Sequence, residues 1–255
     1  MNEVKSQSLN QELVDDSWVP WFRELAIKIN ENDQEFLVQH IQAVDWSEAE
    51  DTGGMAKYGD RYIDRLAEFM AYAVNDPFSF FYFLASKTNS NSMHDIFQSV
   101  HETFNLSADC PTTGKFMPNP RRALLFQDVM GGKVDRESHD LLWNLFRQAA
   151  PENPEICPET FNQVLNMWFI YPLKLTECLF LINPGKFFPI EDKLLIPIYS
   201  GVEQEWKSLK PKTFHCEELI EEGGYEKYQE LLDDIRANYF DGKMEMYDIY
   251  AGVCL

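Results

Sequence analysis

Apolar residues recur along this chain at helical spacing, and almost nowhere do they alternate. Trp18, Trp21, Phe22, Leu25, Ile27, Ile29, Phe36, Leu37 and Ile41 fall mostly at intervals suited to one helical face, which predicts helix across residues 18–41. Residues 47–60 (SEAEDTGGMAKYGD) read as a loop. A helix over 61–74 follows, with Ile63, Leu66, Phe69 and Met70 on one face. Asn75-Asp76-Pro77 is a helix start: a capping residue, then a proline in the first turn, where its missing N–H costs nothing. It opens PFSFFYFLASK, which is apolar all round and therefore predicted to be buried. TNSNS, at 88–92, breaks that helix, and residues 93–104 restart one. A proline-rich loop over 107–122, a helix over 140–150, a second proline-rich loop (PENPEICP) and a helix over 159–167 come next. Then KLTECLFLINPGKFFPIED, residues 174–192, joins an apolar helix to a turn at Asn183-Pro184-Gly185 and an extended arm ending in two acids. Two charged helices, 217–219 and 225–240, flank a Gly223-Gly224 break.

The expected fold is all-α: a multi-helix globular body with many short helices and no internal repeat. Residues 1–17 are polar and expected to be disordered. Residues 18–255 are expected to form a single helical domain. Two lobes within it would leave a cleft between residues 77–91 and 168–193.

Composition narrows the chemistry. Of 255 residues, 45% are hydrophobic, enough to bury a core. The net charge of −20 argues against non-specific nucleic-acid binding, so any DNA site must be a local basic patch. Three short patches offer themselves: Lys115 with Arg121 and Arg122; Lys174 with Lys186 and Lys193; and Lys207, Lys210 and Lys212. The five cysteines form no C-x-x-C pair, which points to reduced thiols in a cytoplasmic protein without a zinc site. The polar start carries no apolar signal core, and no apolar run approaches membrane-spanning length. Gly-rich phosphate loops, HExxH and GxSxG are all lacking, so neither metal nor cofactor is expected.

Two stretches carry candidate chemistry. Pro77 to Asn91 (PFSFFYFLASKTNSN) ends in short polar side chains, among them Thr88, Asn89 and Asn91, able to donate and accept hydrogen bonds without bulk. The plain reading is a helix end dissolving into a loop. In the second stretch, Lys174 opens an apolar helix, and Glu191 and Asp192 close the arm beside prolines. Its plain reading is a solvated lysine, with acids capping the next helix.

Taken together, these stretches resemble the helix-hairpin-helix DNA glycosylase superfamily. There an apolar helix starting near a proline ends in a Ser/Gln/Asn-rich run. Lys174-Leu175-Thr176-Glu177-Cys178-Leu179-Phe180-Leu181 is similar to a helix of its 8-oxoguanine branch. The family's apolar-Pro-x-Asp stop, with a catalytic Asp, corresponds to Phe188-Pro189-Ile190-Glu191, and Asp192 follows one place later. Where the family has a Gly-x-Gly hairpin whose amides hold a DNA phosphate, this chain has Ile170-Tyr171-Pro172, and proline has no amide proton to offer. PFSFFYFLASK, LLWNLFRQA and KLTECLFLINPGKFFPI also resemble the N-terminal region of McrB-type restriction GTPases, whose Walker lysine loop this chain lacks.

The resemblance implies an enzyme that flips a modified base out of DNA and releases it, in defence against phages with modified genomes. Glu191 or Asp192 would stabilise the oxocarbenium-like sugar and activate water. Lys174, if desolvated, could attack the sugar carbon as a free amine. Asn89, Thr88 and Asn91 would fill the gap left by the base. Trp168, with Phe78, Phe80, Phe81, Tyr82, Phe83 and Trp143, could supply aromatic walls for the pocket. The alternative is a non-catalytic reader of modified DNA with a restriction-system protein as partner. A third reading is an acidic helical protein that binds another protein.

Overall fold

The computed structural model describes residues 16–47, 75–86, 93–112, 136–167, 170–191, 194–195, 198, 216–239 and 245–254. Among them are nine helices and no strand: α1 (Trp18–Asn30), α2 (Gln34–Ala43), α3 (Pro77–Ser86), α4 (Met93–Phe104), α5 (Arg136–Ala149), α6 (Pro158–Leu165), α7 (Pro172–Ile182), α8 (Cys216–Tyr239) and α9 (Met246–Cys254). The all-α expectation holds.

The helical stretch at 18–41 is two helices. Asp33 divides them: its extended backbone leaves the helix, and its side chain accepts the Phe36 amide at 3.0 Å as the cap of α2. At the next predicted start, the Ser79 amide donates to Asp76 Oδ1 at 2.8 Å. Helix α5 begins at Arg136, ahead of the expected 140, because its polar first turn carries no apolar signal. Within α8 the expected break is present: two helical segments meet at a kink where Gly224 is non-helical, at φ 61° and ψ −145°. The Tyr225 amide beyond it is held by Asn162 Oδ1 at 2.9 Å. Helix α9 was not foreseen. The loop over 47–60, the helix over 61–74 and most of the loop over 107–122 fall outside the described residues, as do residues 1–15.

Helix α7 is central. It packs against α1, α3, α5 and α8, and every residue from Lys174 to Ile182 is buried. A helix enclosed on all sides must be apolar all round, as this one nearly is. Helix α3 is enclosed in the same way. Phe78, Phe80, Phe81, Tyr82 and Phe83 are at most 1% exposed. Phe80, Phe81 and Phe83 pack edge-on, stacked or tilted against Phe104, Phe22, Phe146 and Trp46. These aromatics therefore build the core and are not free to line a pocket. Trp143 is also nearly buried, against Phe146.

Candidate functional site

The two stretches singled out from the sequence meet in space, because α3 packs on α7. Their joint holds buried polar groups in an otherwise apolar setting: Asp76, Lys174, Thr176 and Glu177, with Tyr82 and Cys178. Lys174 has no solvent exposure. Burial pushes its amine down to about 8, against the opposing pull of the Asp76 carboxylate. Its Nζ lies 5.8 Å from the centroid of the Tyr82 ring. The Tyr82 hydroxyl donates to Glu177 Oε2 at 2.9 Å, and burial, reinforced by the Glu177 charge, raises the phenol far above its ordinary range. The Cys178 thiol donates to the Phe78 carbonyl at 3.4 Å, and burial pushes its pKa well up.

Two sequence expectations change here. Lys174 is not a solvated lysine and adds nothing to a surface basic patch; Lys186 faces Glu245 at 3.9 Å, and Lys193 lies outside the described residues. Second, the charge beside Lys174 is Asp76, which the sequence marked only as a helix cap. Both facts have one cause. A helix buried all round has a buried first turn, so its capping carboxylate is buried too and needs a cation. Lys174, alone in an apolar helix, supplies it.

Glu191 stands at the end of the arm that leaves α7. Residues 187–190 are non-helical and buried, and Glu191 emerges part-exposed. Its carbonyl accepts the Leu194 and Leu195 amides at 2.9 and 3.1 Å, so it also opens a helical turn. Thr176 ties arm to helix: its hydroxyl donates to the Pro172 carbonyl at 2.8 Å and accepts the Ile190 amide at 3.0 Å. Asp192, Thr88, Asn89, Asn91 and Trp168 lie outside the described residues. The expected meeting of Asn89 with Glu191 therefore has no geometry to report.

Where the glycosylase hairpin would hold a phosphate, Tyr171 caps α7 with an extended backbone and Pro172 occupies the first helical position. No group of three or more His, Cys, Asp or Glu is placed to hold a metal ion among the described residues. None of the described helices is long and apolar enough to cross a membrane.

The profile of one domain family, described as a domain of unknown function (DUF8425), matches residues 18–251. The chain belongs to this family. Nothing among curated proteins or solved structures matches it. The family's extent takes in both α3 and α7, together with the arm that ends at Glu191.

Proposed function

We propose that the protein acts on DNA carrying modified bases, as a glycosylase that releases the flipped base. The observation that supports this reading is the meeting of α3 and α7: it desolvates Lys174 and sets a part-exposed Glu191 at the end of an arm fastened to the same helix. Glu191 is the carboxylate best placed to stabilise an oxocarbenium-like sugar, with Asp192 in reserve. Lys174, fully buried beside Asp76, acts from within the wall of the site and is not its nucleophile. Base release without strand cleavage is therefore expected, and borohydride should trap no covalent protein–DNA adduct. Asn89, Thr88, Asn91 and Trp168 complete the proposal as the groups that contact the opened duplex and the base.

The test is to incubate wild type, Glu191→Gln and Asp192→Asn with DNA from phages carrying modified cytosines, and to count abasic sites. Glu191→Gln should lower base release at least a hundredfold and leave DNA affinity within about twofold, because the carboxylate acts on charge that develops only in the transition state. Two folded variants that both match wild type would remove these acids from the mechanism.

A second reading, a non-catalytic reader of modified DNA with a restriction-system partner, is favoured by Pro172 in place of a phosphate-holding amide. A wild type that binds modified DNA and makes no abasic sites would decide for it.

A further inference from the structure

The arm at 186–191 poses a question of backbone accounting. It lies outside any helix, is buried along 187–190, and has no strand beside it among the described residues, yet buried amides need partners. The Lys186 and Phe187 amides return to the Asn183 carbonyl at 3.0 and 3.2 Å, and the Glu191 amide to Pro189 O at 3.2 Å. Pro189 has none to satisfy. That leaves Phe188 and Ile190, and each is met by a side-chain hydroxyl from a different helix. Tyr228 of α8 accepts the Phe188 amide at 3.2 Å and donates to the Phe188 carbonyl at 2.9 Å. Thr176 of α7 accepts the Ile190 amide. The two hydroxyls supply the partners that these buried amides need.

Tyr228 is rigid in this role. It is fully buried and stacks on Phe161 with ring centroids 5.6 Å apart and planes 16° apart. Its helix grips the same arm once more, since Arg236 donates to the Lys186 carbonyl at 2.7 Å. Neither hydroxyl touches the Glu191 side chain through any of these bonds. They fix the backbone one and three residues before it.

We infer that Tyr228 and Thr176 are positioning residues for Glu191, clamping the arm so that its carboxylate is held in one place. The inference rests on the glycosylase reading above. A carboxylate that must lie beside a developing sugar cation gains from such a clamp, since misplacement by about 1 Å can cost about a hundredfold in rate.

The test uses Tyr228→Phe, which keeps the ring and its stacking, and Thr176→Val with Thr176→Ser as the conservative partner. Base release and DNA affinity are measured on modified phage DNA, and amide hydrogen exchange is measured at Phe188 and Ile190. Tyr228→Phe should speed exchange at Phe188 and lower kcat about ten- to a hundredfold with affinity unchanged. Thr176→Val should do the same through Ile190, and Thr176→Ser should restore the rate. If Tyr228→Phe does not fold, the two Thr176 variants carry the test. Faster exchange with a wild-type rate would overturn the positioning role, as would unchanged exchange. A wild type that releases no base, with the amides protected as expected, would overturn the glycosylase reading and this role with it.

Discussion

Lys174 shows how much one side chain can decide. Its burial beside Asp76 places a cation and an anion in an apolar joint, where removing either removes the opposing charge from the other. Lys174→Met should therefore cost about 3–5 kcal/mol, whereas Asp76→Asn with Lys174→Met should lie within about 1 kcal/mol of wild type or above it. Urea unfolding at pH 7 measures both. The lowered amine also gives a pH signature of definite sign. The ordinary lysine value is 10.5 and the folded value about 8. Between them the unfolded chain holds a proton that the folded protein has released, so stability rises with pH across that window. Burial raises Cys178 above its ordinary 9.0 and works in the opposite sense above that pH. The gain is thus best read from pH 8 to 9. There the wild type should gain about 1 kcal/mol that the double variant lacks.

At the scale of elements, the apolar periodicity located α1, α3, α4, α6 and α7 within a few residues, because burial on one face or on all faces writes itself directly into the sequence. Asp33 was harder to see, since one capping side chain divides a stretch whose hydrophobic spacing continues through it. Helix α9 is nine residues of mixed character, and its placement depends on Trp18 and Phe180, which pack on its Tyr247 and Tyr250. Such tertiary partners have no local signature. The same holds at the site. Glu191 and Lys174 stood out by their chemistry, but Tyr82, Thr176 and Tyr228 matter through contacts 14 to 95 residues away in sequence, and Asp76 through its charge beside Lys174. One sign of Asp76 was available: a cap on a helix apolar all round must itself be buried. The Gly224 kink was legible as a glycine pair, and its requirement is strict. Its φ of 61° with ψ −145° suits glycine alone, and an added Cβ would run into Asn162 Oδ1. Gly224→Ala should therefore destabilise by about 3 kcal/mol, seen as a lower urea midpoint at an unchanged m-value.

For the whole molecule the governing quantity is a net charge of −20. If the protein binds DNA as proposed, it acts on folding and on that binding in opposite directions as salt changes. Self-repulsion among carboxylates, such as those that crowd the exposed sides of α8, weakens with screening, so the thermal midpoint should rise from low salt to about 0.15 M, where the Debye length is about 8 Å. DNA binding through small basic patches should weaken over the same range. Of the described residues in those patches, Lys174 is buried and Lys186 is engaged with Glu245. We expect a plot of log K against log salt with a slope of about −2 to −3, corresponding to two or three phosphate contacts. A slope near −10 would require about ten phosphate contacts and would overturn this expectation. Discrimination between modified and plain DNA must then come from the base itself, which a flipped-out nucleotide exposes. The preference for modified DNA should accordingly persist as salt weakens both affinities, measured by competition at several salt concentrations. Loss of the preference at higher salt would place recognition in the phosphate backbone and count against a base-reading site of either kind.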